Sequence, residues 1–188
     1  MRLRRRGVRL WGAWILAIAY FWMARPDTAS LWAGGAVILA GLIVRGWAAG
    51  VLEKDRELAV SGPYAFTRNP LYLGSFVIGA GAVVAGGRIW IGVVFLAFFV
   101  WAYRETMARE VGRLVDRFGD GYRCYRDAVP AFLPRLTPYR PPPDTAPAPT
   151  RFSLARYTRN REWEAALGGV AAMGLLALKA AGHLGQAG

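Results

Sequence analysis

Cysteine and histidine are nearly absent from this chain of 188 residues, with Cys124 and His183 the sole examples. One cysteine excludes an internal disulfide framework and any centre built from several thiolates. One histidine near the C-terminus argues against histidine-rich metal centres and triad chemistry, so no metal site is expected. Acidic residues are also scarce, 12 Asp and Glu against 24 Lys and Arg, giving a net charge of +12. Charged residues are only 19% of the chain, whereas 55% is hydrophobic and eight residues are tryptophan. That balance excludes a disordered chain and is unusually apolar for a soluble domain. The length suits one domain of ordinary size.

The apolar residues fall into five blocks between charges: 10–24, 28–44 (continuing past Arg45 through 47–52), 69–87, 89–103 and 165–178. A bilayer-crossing helix needs ~20 mainly apolar residues, fewer when flanking arginines snorkel. Small residues recur in the second, third and fifth blocks, as expected where membrane helices approach closely. Five such blocks in one short chain predict an all-α polytopic membrane bundle of about five transmembrane helices. The fifth is the shortest. The first follows Arg2, Arg4, Arg5 and Arg6, but no small-x-small cleavage site succeeds it, so it reads as a retained anchor.

Charge placement predicts the topology. With the N-terminus in the cytoplasm and alternating spans, 21 of the 24 basic residues lie on the cytoplasmic side, and only Arg25, Arg88 and Lys179 lie opposite. This positive-inside pattern makes the basic excess a topology signal, with contact to membrane lipids, and leaves no role for nucleic acid. The expected location is a bacterial inner membrane. The organisation reads as 1–41, the first span and the start of the second; 42–137, a core; 138–160, a proline-rich linker; and 161–188, a C-terminal span. The spans at 69–87 and 89–103 are joined by Gly86, Gly87 and Arg88, which predicts a tight antiparallel hairpin. Both of its ends then open on the cytoplasm and bring the polar segments 53–69 and 104–134 together, predicting a pocket on that side.

After residue 104 the pattern predicts a helix to Phe118 with Gly119 as its C-cap. Met107, Val111, Leu114, Val115 and Phe118 form one stripe at 100° per residue, with Glu105, Arg109, Arg113 and Asp116 opposite. Such a helix is expected to lie on the membrane surface. Glu110 borders the apolar stripe, and Arg104 projects within it. They either snorkel to headgroups or face a polar pocket, and the second reading makes Glu110 and Arg104 the candidates for catalytic roles. Asn69 followed by Pro70 is a helix start, with Asn as N-cap and Pro at the first position. Trp101, Tyr103, Cys124 and His183 read as structural.

Three stretches stand out in order: Ser61-Gly62-Pro63-Tyr64; Thr67-Arg68-Asn69-Pro70-Leu71-Tyr72-Leu73-Gly74; and Glu110, Leu114, Phe118-Gly119-Asp120-Gly121-Tyr122, Tyr125, Val129-Pro130 and Pro134. Around a membrane hairpin, this set resembles the isoprenylcysteine carboxyl methyltransferase family, related to the phospholipid methyltransferases, over residues 42–134. The resemblance implies an enzyme that binds S-adenosylmethionine and methylates a lipophilic small-molecule or prenyl-type acceptor entering from the bilayer. It implies cofactor contacts at Tyr64, Arg68, Asn69, Pro70, Leu71, Tyr72 and Glu110, with 56–59 a weaker match. Gly74 and Gly79 would admit a neighbouring helix or the cofactor. Tyrosines offer flat apolar faces with a polar tip, Glu110 an acceptor for ribose hydroxyls, and a helix start unpaired N–H groups for a carboxylate.

The chain departs from the family pattern where Asn69 replaces a histidine, Val111 the second glutamate of a pair, and Thr106 an arginine. Asn69 cannot titrate, so proton transfer at that position is excluded. The rival readings are an NADPH-dependent membrane reductase of the sterol-reductase type and a non-catalytic membrane protein of the same fold.

Overall fold

The computed structural model describes residues 2–54, 56–142 and 150–182, with side chains from Trp11 onward in the first helix. The N-terminal arginine cluster's side chains, the centre of the proline-rich linker and His183 lie outside the described residues. Among those described, the regular structure is entirely helical: α1 (Arg2–Met23), α2 (Thr28–Val51), a 3-10 turn (Gly62–Ala65), α3 (Pro70–Ala85), α4 (Ile91–Ala128), α5 (Leu154–Arg159) and α6 (Trp163–Ala180). All five apolar blocks are helices. By length and composition α2, α4 and α6 can cross a membrane, and Trp11–Met23 and Pro70–Ala85 are shorter apolar helices. The chain is a polytopic all-α membrane bundle.

The sequence opens and closes these helices visibly. Asp27 caps α2, its carboxylate accepting from the Ser30 N–H at 2.8 Å while the Ser30 hydroxyl accepts from the Asp27 N–H at 2.9 Å. Such a reciprocal box satisfies donors that a helix start leaves unpaired. Pro70 begins α3, where its missing N–H costs nothing. At Gly119 the backbone turns to φ 53°, ψ −128°, open mainly to glycine, and kinks α4 there.

The tightest helix pairing is α2 with α3 rather than the expected hairpin of α3 with α4. Glycines on both faces account for this. A Cβ on Gly41 would come within 2.8 Å of the Gly74 carbonyl oxygen, and one on Gly81 within 2.7 Å of the Ile38 nitrogen. Backbones can come this close only where no side chain intervenes. Gly79 in turn admits the Phe95 ring, so Gly74 and Gly79 both serve helix packing. Aromatic rings fill the wider α3–α4 crevice, with Phe76 5.6 Å from Phe95 and 5.2 Å from Phe99 between ring centres.

At one end of the bundle α1, α3 and α6 are tied around Ala24, Ala85 and Leu176. The Tyr20 hydroxyl donates to the Ala82 carbonyl, and the Lys179 ammonium donates to Phe21 and Trp22 carbonyls at 2.7 and 2.9 Å. The other end holds the polar segments and a second core of Val60, Tyr122, Tyr125 and Val129. Here the surface-helix expectation is corrected. From Ile91 to Phe118, α4 runs without interruption and rises roughly 42 Å, beyond a hydrocarbon layer of ~30 Å. Its stripe of Val111, Leu114, Val115 and Phe118 packs on the second core instead of lying on lipid.

Candidate functional site

The polar end encloses a cavity of about 300 Å³, within the range of small-molecule sites. Its walls are the loop after α2, the 3-10 turn, the first turn of α3, the inner face of α4, and two residues from beyond the linker, Asn160 and Glu162. Tyr64, Arg68, Asn69, Pro70, Leu71, Tyr72 and Glu110 all line this one cavity. The geometry thus gathers these seven positions, and of the weaker stretch 56–59 it adds Glu57, Leu58 and Ala59 but not Arg56. Arg104 is different. It is exposed and lies outside the cavity lining, because α4 turns it away from the face that carries Glu110.

Each wall residue has a local reason for its position. Tyr64 is buried on the 3-10 turn, and its carbonyl accepts from the Tyr125 hydroxyl at 2.7 Å. Burial pushes the Tyr64 phenol well above its ordinary range, and the neighbouring Tyr125 and Glu110 add to the shift, so it stays neutral. Asn69 begins α3 but does not cap it: its amide donates to the Ala131 carbonyl at 2.8 Å. That bond joins a zipper in which the Arg68, Arg135 and Tyr139 N–H groups donate to Pro130, Phe66 and Ala65 carbonyls. The zipper holds segment 130–139 along 65–69, and this long-range strap outcompetes the local cap.

Arg68 presents a cation whose Nε is buried and without a hydrogen-bond partner among the described residues. A buried polar group left unpaired is costly, and in native proteins this marks a place where a ligand or solvent completes the shell. Glu110 accepts from the Tyr72 hydroxyl at 3.2 Å and pairs with Arg113 at 3.5 Å. The Tyr72 ring rests on Tyr103 at 4.9 Å, which in turn lies 4.4 Å from Phe99. Tyr103, expected to be structural, therefore backs a wall residue. Val111 packs with the second core, and the Thr106 hydroxyl donates to the Ala102 carbonyl of its own helix.

Sequence reasoning overlooked Arg45, Asn160 and Glu162. Arg45 was counted as a topology charge, although a lone charge inside an apolar run is itself a signal of a buried site. Its guanidinium grips both oxygens of Glu162, the Ser75 hydroxyl and, at 3.3 Å, the Leu71 carbonyl. Nothing local singled out Asn160 or Glu162, which lie in a segment with no motif. Cys124 is exposed, and Trp101 is exposed on α4. No cluster among the described residues could hold a metal ion.

A cavity with an arginine whose buried Nε has no partner among the described residues, a carboxylate bonded to a tyrosine, and further tyrosine walls suits a ligand that carries a carboxylate, hydroxyls and a flat ring. Residues 31–120 match the phospholipid methyltransferase family. The matched segment carries Arg45, the 3-10 turn, the start of α3 and Glu110. The chain is also similar to the Schizosaccharomyces pombe protein-S-isoprenylcysteine O-methyltransferase, 31% identical over 85 residues, or 45% of this chain and 36% of that protein. It is 32% identical over 90 residues to the nickel-cobalt-cadmium resistance protein NccN of Alcaligenes xylosoxydans, covering 47% of this chain and 41% of the relative. It is 33% identical over 90 residues to the cobalt-zinc-cadmium resistance protein CzcN of Cupriavidus metallidurans, covering 47% and 40%. The chain thus spans about two fifths of the length of the curated relatives it matches. No solved structure matches. The matched segment ends at residue 120, so Tyr122, Tyr125, Asn160 and Glu162 complete the cavity from outside it.

Proposed function

We propose that the cavity binds S-adenosylmethionine and that the protein methylates a lipophilic acceptor reaching it from the bilayer. The observation that carries this reading is that Arg68 and Glu110 line one tyrosine-walled cavity within the segment that matches the phospholipid methyltransferase family. The buried Nε of Arg68, next to the N-terminus of α3, suits the carboxylate of the cofactor's amino-acid end. Glu110 accepts from ribose hydroxyls or offsets the positive charge on sulfur, and Tyr64 and Tyr72 supply apolar faces. Bound there, the cofactor would supply an electrophilic methyl group on a sulfonium.

The chain's part in transfer is alignment and exclusion of water. A carboxylate acceptor is already nucleophilic and needs no base. Asn69 cannot titrate, and its amide is bonded to Ala131. An acceptor that must lose a proton would therefore depend on Glu110 or Tyr72. We accordingly favour a lipophilic carboxylate. The concentration of basic residues at the cavity end supports a cytoplasmic site in a bacterial inner membrane, with the N-terminus cytoplasmic.

Calorimetric titration of the detergent-purified protein tests the proposal. Saturable binding of S-adenosylmethionine with no response to NADPH is the expected result. Binding of NADPH alone would point to a reductase, and binding of neither to a non-catalytic membrane protein.

A further inference from the structure

Arg45 and Glu162 form a buried ion pair between α2 and the start of α6. Glu162 is 6% exposed, and its two oxygens accept from Nε and Nη2 of Arg45, the latter at 3.0 Å. The remaining terminal nitrogen, Nη1, donates to the Ser75 hydroxyl and to the Leu71 carbonyl. Ser75 donates to the same Leu71 carbonyl at 2.9 Å. A guanidinium has five N–H donors, and these bonds commit nearly all of them. Arg45 borders the cavity without being free to take a ligand's carboxylate, unlike Arg68.

The placement of Glu162 is elaborately secured. Two residues earlier, the Asn160 amide donates to the Ala49 and Leu52 carbonyls at 2.8 and 3.1 Å, closing the C-terminal end of α2. Between them Arg161 has φ 57°, a left-handed conformation uncommon for a residue with a side chain. Such strain persists only where the surroundings hold it. On the other side, the stem of Arg45 runs over Gly74, where any side chain would occupy its place.

We propose that Glu162, from a segment outside the family match, is a positioning residue for the cavity: through Arg45 it sets the first turn of α3, which carries Pro70, Leu71 and Tyr72. This rests on the methyltransferase reading only for the identity of the ligand. A pair kept for stability alone can be exchanged for apolar side chains of similar volume, often without loss. A positioning pair cannot, because Leu71 and Ser75 lose the fork that orients them.

The test uses the full chain in detergent with S-adenosylhomocysteine as probe, and hydrogen–deuterium exchange over 69–75 as a readout that needs no ligand. Glu162→Gln is expected to speed exchange in 69–75, leave the apolar part of α4 unchanged, and weaken the probe about tenfold. Arg45→Lys keeps the charge but loses the fork, so it should match Glu162→Gln. The double variant Arg45→Met/Glu162→Met should keep its thermal midpoint and still show both defects. Unchanged exchange over 69–75 in these variants would overturn the proposal, as would wild-type probe affinity in the double variant. A wild-type protein that does not bind the probe would refute the methyltransferase reading, and the exchange data would still decide the positioning role.

Discussion

The Tyr72 hydroxyl donates to the Glu110 carboxylate across 3.2 Å and so links the first turn of α3 to the middle of α4. This contact spans the wide aromatic crevice between the two helices, where backbone approach is less close than between α2 and α3. Glu110 is therefore oriented by a neighbouring helix as well as by Arg113 of its own helix, 3.5 Å away.

If Glu110 holds the cofactor, Glu110→Gln removes a charge-assisted hydrogen bond of roughly 1.5–3 kcal/mol and weakens S-adenosylmethionine about ten- to a hundredfold. Glu105 lies on the exposed side of the same helix, so Glu105→Gln should leave affinity unchanged. Paired calorimetric titrations provide the comparison, with thermal unfolding as a check on folding. Equal affinities for wild type and Glu110→Gln would remove the residue from the site.

Two glycines should respond to alanine in opposite directions. Gly41→Ala sets a methyl group against the backbone of α3, where the nearest atoms belong to Gly74 and Ile78, and should cost about 1–3 kcal/mol. Gly112, on the exposed extension of α4, has no atom within 4 Å of its missing Cβ. Gly112→Ala should therefore stabilise by roughly 0.5–1 kcal/mol through helix propensity. Thermal midpoints of the two variants in one detergent measure both effects, and a Gly41→Ala midpoint at or above that of the wild type would refute the close-packing account of α2 and α3.

Alkaline stability should depend on Tyr64. Its phenol is held neutral by burial, whereas in the unfolded chain it ionises near pH ~10. Its stabilising contribution is thus complete below that pH and is lost as the pH rises further, because only the unfolded state releases the proton. Melting curves between pH 8 and 11 should fall less steeply for Tyr64→Phe than for wild type. Parallel curves would show that the phenol titrates normally in the folded protein.

Lys179 belongs to the architecture rather than to the surface. Its ammonium caps the C-terminal carbonyls of α1 from Phe21 and Trp22, and it lies 5.3 Å from the centre of the Phe21 ring. Lys179→Met should cost about 1.5–3 kcal/mol by leaving those acceptors unpaired. The loss would appear as a lower thermal midpoint and faster proteolysis beyond α5. A neutral outcome would mean that water replaces the ammonium and that α6 docks through apolar contacts alone.

The local features of this protein could be read from residues that lie close together in the chain. Runs without charge marked all five apolar helices, Pro70 marked the start of α3, and Gly119 marked the break in α4. Each depends on near neighbours: hydropathy over one helix length, a missing N–H at a first turn, or a φ that favours glycine. That the motif residues share one cavity was legible as well, because they lie on two segments brought to the same end of the bundle. Tertiary structure decided which helix each face meets. Glycines occur in α2, α3 and α6 alike, and only three-dimensional proximity matches Gly41 to Gly74 and Gly81 to Ile38. The same holds for polar side chains with several possible partners. Asn69 could cap its own helix, yet its amide bonds Ala131, and Arg45 could snorkel to a headgroup, yet it grips Glu162, 117 positions away. Hydropathy and propensity are local quantities, whereas the choice among competing hydrogen-bond partners is made by whichever distant segment the packed helices bring within about 3 Å.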